Sequence, residues 1–208
     1  EHALAQDDPE IITSKRLSHP NIVRLHEVLS DDTCDHFLMD LCEGGDLAGY
    51  ISSHSSVGAF RQRMYKGPEE WQIGYFLKQL LMALAYLHHH KIAHRDVKPA
   101  NCLLVEKVDR SSLKLADFGL ATPFTKGVQM TEISGTLHFM APEVLRGSYD
   151  ERCDVWSAGC VVVALATTTF VFDVLAVAGD DRGKFEAKLE KTILECEVTF
   201  NEIDWRDY

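Results

Sequence analysis

Apolar positions along this 208-residue chain change spacing from segment to segment, and each change predicts an element. Leu77, Leu80, Leu81, Leu84 and Leu87 recur three and four residues apart, the spacing of one helix face. A long helix is expected there, opened by Pro68-Glu69-Glu70 and ending near His89, with the leucine stripe in the core. Asp7-Asp8-Pro9 reads as a cap followed by proline at the first helical position, so a shorter helix should run to about Leu17. The turn His19-Pro20-Asn21 follows it. Ile22 to Leu29 and His36 to Leu41 read as strands joined by the polar turn Ser30-Asp31-Asp32-Thr33. Gly44-Gly45 breaks that pattern, and a short helix near Asp46 to Ser52 follows. Residues 53–68, rich in Ser, Gly and basic side chains, are expected to be a surface loop. Short strands are expected at Cys102–Val105 and Leu113–Ala116, then a long loop over 117–143, and a last helix from Lys184 to Glu197.

The stretch from Ala158 to Phe172 carries no charge. Its fifteen residues fall short of the roughly 20 that span a bilayer, and Asp173 interrupts any extension. A helix buried within a protein core is the expectation. Composition agrees: 46% hydrophobic and 25% charged residues are ordinary for a soluble globular chain. The net charge of −11 serves solubility first; the sharper reading is an acidic surface that attracts basic peptides and repels nucleic acid. No large basic patch stands out, so nucleic acid is not an expected partner. Six cysteines without a Cys-x-x-Cys pair point to a reducing, cytoplasmic setting, with most thiols buried as small apolar groups. His88-His89-His90 cannot place two rings on one helix face and is expected to be a frayed helix end rather than a metal site.

Candidate chemistry concentrates in His94-Arg95-Asp96-Val97-Lys98-Pro99-Ala100-Asn101. Asp117-Phe118-Gly119, Ala141-Pro142-Glu143 and Asp154-Val155-Trp156-Ser157-Ala158-Gly159 follow in order. Together these resemble the catalytic core of a eukaryotic protein kinase. The resemblance implies an α+β protein-kinase-like fold: a mostly helical large lobe over 42–208, and a reduced small lobe over 1–41 made of one helix and two strands. It also implies phosphoryl transfer from ATP with Mg²⁺. Such transfer needs a positioned nucleophile and cations that neutralise the moving phosphoryl group. Asp96 would accept or orient the substrate hydroxyl proton, and Lys98 would reach the γ-phosphate. Asn101 and Asp117 would offer hard oxygen ligands to Mg²⁺. The Arg-Asp-x-Lys-x-x-Asn pattern, with Gly135-Thr136 before Ala141, resembles kinases that act on Ser or Thr. In that family the Thr136 hydroxyl would bond Asp96 and Lys98.

Further residues follow from the same resemblance. Met39 would be the gatekeeper, the backbones of Asp40 and Cys42 would meet adenine, Leu103 would form its floor, and Asp46 would reach the ribose or a basic substrate residue. Arg95 would pair with the activation loop, where Glu132 stands in the place of a phosphorylated residue and supplies about one charge instead of nearly two. An acid there, with His19-Pro20-Asn21-Ile22-Val23-Arg24-Leu25 and Tyr149-Asp150-Glu151-Arg152-Cys153-Asp154-Val155-Trp156-Ser157, resembles the calcium-dependent and calmodulin-dependent protein kinases. Thr131, Thr125 and Ser134 are candidate phosphorylation sites. A calcium-sensing regulatory segment would lie outside these residues, and protein substrates bearing Ser or Thr are the implied partners.

The chain also departs from the family. No Gly-rich phosphate loop and no Val-Ala-x-Lys strand precede Asp96. Glu10 occupies the place of the family's helix-C glutamate, without that lysine. Ala100 replaces an acid with which some kinases hold substrate arginines, and Thr167 to Phe172 replaces a Gly-x-x-Pro-Phe turn. The parent protein is expected to be an active kinase and this stretch alone weakly active or inactive. A non-catalytic kinase-like interaction module is the alternative.

Overall fold

A computed structural model describes residues 9–31, 33–54, 68–108, 110–172 and 182–195. The expected cap at Asp7-Asp8, most of the 53–68 loop and the far end of the last helix lie outside them. The order is α1 (Pro9–Arg16), β1 (Leu25–Ser30), β2 (Asp35–Met39), β3 (Gly45–Asp46), α2 (Leu47–His54), α3 (Glu70–His89), β4 (Ile92–Ala93), β5 (Cys102–Leu104), β6 (Leu113–Leu115), β7 (Thr122–Pro123), α4 (Pro142–Leu145), α5 (Cys153–Thr167) and α6 (Arg182–Glu195). This is the expected α+β architecture, helical after residue 47 and with short strands.

The long helix α3 starts where expected. The Gln72 side chain accepts a hydrogen bond from the Glu69 backbone N–H at 2.8 Å, reaching back one turn to satisfy it. Its buried face differs from the leucine stripe. Leu80, Leu84 and Leu87 are buried, together with Ile73, Phe76 and Ala83, whereas Leu81 is 39% exposed and Leu77 half-buried. Two polar side chains take places in that face. Gln79 Oε1 accepts from Asn21 Nδ2 at 3.0 Å and from the Leu113 backbone N–H at 2.9 Å. A buried amide that meets two donors is satisfied, so the stripe rotates to admit it.

The central helix α5 packs on α3, contributing Ala158, Val161 and Leu165 to the same core as Leu80, Leu84 and Leu87. It is not covered all round: Val155 is 50% exposed. Among the described residues no helix is long and apolar enough to cross a membrane. β3, β5 and β6 form a three-stranded antiparallel sheet in that order, and β4 pairs with β7. Gly44 is needed where the chain enters this sheet, since a Cβ there would lie 2.4 Å from the Glu106 carbonyl oxygen.

The β1–β2 hairpin pairs Leu25 with Met39 and Ser30 with Asp35, with a bulge at Leu25/Glu27. The first strand begins at Leu25 rather than Ile22, because residues 21–23 pair elsewhere. The Val23 N–H donates to Leu115 O at 2.9 Å and the Leu115 N–H donates to Asn21 O at 2.8 Å. This bridge ties the segment before β1 to β6.

Candidate active site

The loop between β4 and β5 carries the motif, and a single buried carboxylate sets its path. Asp154, fully buried near the start of α5, accepts the backbone N–H of Arg95 on Oδ1 at 2.8 Å. Its Oδ2 accepts the backbone N–H of His94 at 2.9 Å and faces His88 Nε2 at 2.7 Å. Arg95 sits at φ 66°, a left-handed conformation unfavourable for a side-chain-bearing residue. Capture of two successive N–H groups by one carboxylate holds that conformation in place. His88 is therefore not a frayed end but a partner of Asp154. His94 is fully buried; its Nδ1 accepts the Asp96 N–H at 3.2 Å, which leaves Nε2 to donate to Ala116 O at 3.1 Å. Both ring nitrogens are used by a neutral imidazole, and burial pushes its pKa down.

Asp96, Lys98, Asn101 and Thr136 come together as the motif implied. Lys98 Nζ lies 2.6 Å from Asp96 Oδ2 and donates to Thr136 Oγ1 at 2.9 Å. The Thr136 hydroxyl donates to Asp96 Oδ1 at 2.7 Å, and its backbone N–H reaches the same oxygen at 2.9 Å. Asn101 Nδ2 bonds the Asp96 carbonyl at 2.9 Å and Oδ2 at 3.3 Å. Burial alone would push the Asp96 carboxyl up, but the hydrogen bonds from Lys98 and Thr136 and the Lys98 charge outweigh it and hold the group below the ordinary carboxylate range. Gly135, at φ 115°, brings Thr136 against the loop; a Cβ there would lie 2.5 Å from Arg95 O.

Asn101 spends its amide N–H groups on Asp96, so its Oδ1 is the end that can ligand a cation. The Ala116 N–H donates to Asn101 O at 2.9 Å, which sets Asp117, the next residue, beside Asn101. Asp117 takes a left-handed φ of 64° and Phe118 packs against His94 with ring centroids 5.2 Å apart. Two hard oxygen donors from neighbouring backbone positions suit Mg²⁺, which keeps waters and shares phosphate oxygens. Glu10 of α1 reaches the same turn: a Cβ on Gly119 would lie 3.4 Å from Glu10 Oε2. A different group, Asp31, Cys34 and His36, gathers three exposed ligand atoms at the β1–β2 turn.

Arg95 meets Glu132 as expected. Its Nη1 lies 2.7 Å from Glu132 Oε2, its Nε donates to Leu120 O at 2.7 Å, and Nη1 reaches the Tyr149 hydroxyl at 3.3 Å. Tyr149, 1% exposed, also donates to Glu132 O, and the sequence reading gave it no role. Thr131 and Thr125 are exposed at the loop surface, whereas the Ser134 hydroxyl is buried without a hydrogen-bond partner, a poor position for modification.

The residues expected to meet the nucleotide lie along the stretch from β2 to β5. Met39 ends β2 and is 52% exposed. The Asp40 side chain is engaged locally, with Lys114 Nζ at 2.8 Å, His26 Nε2 at 2.9 Å and the Arg24 N–H at 3.2 Å. Burial opposes ionisation of Asp40, but Lys114, the Arg24 N–H and His26 hold its pKa down to about 2. Its backbone N–H donates to Arg24 O at 3.0 Å, so the adenine contact implied for that backbone is left to its carbonyl. Cys42 is half-buried, and burial pushes its thiol up. Asp46 pairs with Leu103 across β3 and β5. Asp46 Oδ1 also accepts the Gly49 N–H at 2.7 Å and thereby caps α2, a bland role beside the expected one. Three other cysteines are buried, with the thiols of Cys102 and Cys160 pushed up by desolvation to about 12.

The protein kinase domain family matches residues 4–204, nearly the whole chain. The chain belongs to that family. Calcium-dependent protein kinase 5 of Plasmodium berghei is 36% identical over 156 residues, which is 75% of this chain and 26% of that protein. Calcium-dependent protein kinase 3 of Plasmodium yoelii yoelii is 39% identical over 151 residues, 72% of this chain and 26% of its own. Calcium-dependent protein kinase 14 of Arabidopsis thaliana is 40% identical over 147 residues, 71% of this chain and 26% of its own. The chain thus spans about a quarter of the length of these relatives, and its kinase domain resembles theirs.

Proposed function

We propose that the protein containing this kinase domain transfers the γ-phosphoryl group of Mg-ATP to Ser or Thr hydroxyls of protein substrates. The observation that supports this is the closed set of contacts among Asp96, Lys98 and Thr136, three groups within 2.6–2.9 Å of one another. Asp96 is held ionised and can accept a hydrogen bond from an incoming hydroxyl. Lys98 is bonded to that carboxylate through a flexible stem, so its ammonium can turn toward a phosphoryl oxygen while Thr136 keeps Asp96 aligned. Magnesium, when bound, would neutralise charge on the phosphates. Asn101 and Asp117 are the residues that would hold it.

Arg95, Tyr149 and Glu132 support an activation loop that is held without phosphorylation. The relatives are calcium-dependent by name, and a calcium-sensing segment of a longer, cytoplasmic protein is the regulator this reading implies. The test is incubation of the full-length protein with Mg-ATP and mixed protein substrates, followed by phosphoamino-acid analysis. Phosphoserine and phosphothreonine are the expected products. Phosphotyrosine alone, or no protein phosphorylation by a folded and calcium-supplied protein, contradicts the reading and favours a non-catalytic module.

A further inference from the structure

The turn between β1 and β2 is closed by backbone and carboxylate together. The Asp31 N–H donates to Cys34 O at 3.0 Å. Asp31 Oδ1 accepts the Thr33 N–H and the Thr33 hydroxyl, each at 2.7 Å, and the Cys34 N–H at 3.0 Å. That oxygen is fully used in holding the turn. The other carboxylate oxygen, Oδ2, faces two side chains that the turn itself does not require. Cys34 and His36 stand two residues apart at the start of β2, so the strand sends both to one face. Cys34 Sγ lies 3.6 Å from Asp31 Oδ2 and 3.5 Å from His36 Nε2, and His36 Nε2 lies 2.8 Å from Asp31 Oδ2.

We propose that Asp31, Cys34 and His36 form a zinc site that clamps the β1–β2 turn. It lies apart from the catalytic loop and does not depend on the kinase reading. The donor set carries the choice of metal: one sulfur, one imidazole nitrogen and one carboxylate oxygen suit Zn²⁺, whereas Mg²⁺ and Ca²⁺ take oxygen alone. The spacing carries the geometry. Zn–S near 2.3 Å, with Zn–N and Zn–O of about 2.0–2.2 Å at tetrahedral angles, puts neighbouring ligand atoms about 3.3–3.6 Å apart. Both sulfur distances already match. The His36–Asp31 distance must open by about half an ångström, and those side chains, 58% and 51% exposed, are free to make that shift. A water molecule would complete the tetrahedron. On binding, the Cys34 thiol proton passes to solvent as the Zn–S bond forms, and the His36 ring keeps its one proton on Nδ1. A two-stranded hairpin is marginal in water, and a metal bound only by the closed turn stabilises it. β2 runs from this clamp to Met39, so the metal would stiffen the strand that leads toward the hinge.

The experiment uses the full-length protein under a phosphine reductant, with Ca²⁺ and Mg²⁺ in excess to fill sites made of oxygen donors. Zn²⁺ is titrated against a chromophoric chelator, and Co²⁺ is substituted to read sulfur ligation by its thiolate charge-transfer absorption. Hydrogen exchange over residues 25–39 is followed with and without Zn²⁺. Wild type should bind one equivalent more Zn²⁺ than Cys34→Ala or His36→Ala, and Asp31→Asn should bind it about tenfold or more weakly. The cobalt band should be present in wild type and lost in Cys34→Ala, since Cys102, Cys153 and Cys160 are buried. Zn²⁺ should slow exchange in the hairpin of the wild type and not of Cys34→Ala. No cobalt–thiolate band in wild type, its persistence in Cys34→Ala, or equal Zn²⁺ binding by wild type and the folded variants overturns the proposal. Displacement of the Zn²⁺ by Ca²⁺ or Mg²⁺ overturns it as well.

Discussion

Replacing Asp154 by Asn keeps the shape of the side chain and removes one acceptor oxygen from a fully buried site. The structure makes the consequence countable. Oδ1 serves the Arg95 N–H at 2.8 Å; Oδ2 serves the His94 N–H at 2.9 Å and His88 Nε2 at 2.7 Å. An amide nitrogen in the first place faces the Arg95 N–H; in the second it faces the His94 N–H. His88 can offer a lone pair to the new NH₂ group, but a backbone N–H cannot. One buried donor is therefore orphaned in either orientation, at about 1–3 kcal/mol, and the surviving bonds lose their charge assistance. We expect Asp154→Asn to destabilise the kinase domain by about 3 kcal/mol. The left-handed Arg95 would relax, and phosphoryl transfer would fall with it. Urea unfolding followed through Trp156, two residues along α5, measures the first effect. His88→Ala should cost less, because the two backbone N–H groups keep their carboxylate. The double variant should cost less than the sum, because both changes act on one oxygen. A loss below about 1 kcal/mol for Asp154→Asn would refute the claim that this carboxylate fixes the catalytic loop.

Other consequences follow from single contacts. Glu132→Gln removes the charge opposite Arg95; Glu132 is 72% exposed, so solvent screening limits the loss to about 0.5–1 kcal/mol, a two- to fivefold fall in activity that shrinks at high salt. A hundredfold loss would show that the pair does more than position the loop. Thr168 ends α5 at φ 57°, where a β-branched residue is strained. Thr168→Gly should stabilise the domain by about 1 kcal/mol in the same unfolding assay, and destabilisation would mean that its side-chain contacts outweigh the strain. Because the folded Asp96 carboxyl titrates below its unfolded value, its contribution to stability is full above the ordinary carboxylate pKa of about 3.9 and is lost only as pH falls through the lower folded value. Carbon-13 NMR of Asp96 in the folded domain should find its titration midpoint below that of a free aspartate side chain, and a midpoint above it would contradict the contacts drawn around it.

What the sequence made legible was local. The catalytic loop could be read because Asp96, Lys98 and Asn101 are packed into one short run whose chemistry needs them adjacent. Thr136 and Glu132 could be read only through family resemblance, since their partners lie 37–40 residues away. His88 was misread because its partner, Asp154, is 66 residues distant, and nothing in the triplet His88-His89-His90 shows which ring turns inward. The leucine stripe failed for a related reason. Periodicity registers that a face is apolar but not that Asn21 and Leu113 bring donors to Gln79, and that pairing rotates α3 so that Leu81 faces out. Asp31 was legible as a turn residue, but not that the turn folds its carboxylate against Cys34 and His36.

The most direct measurement is single-turnover phosphoryl transfer from Mg-ATP to a Ser substrate by the full-length protein and by its Asp96→Asn variant. The account predicts transfer by the wild type and a rate lower by about 10²–10⁴-fold in the variant, with ATP binding unchanged. Equal rates in two folded proteins would contradict it.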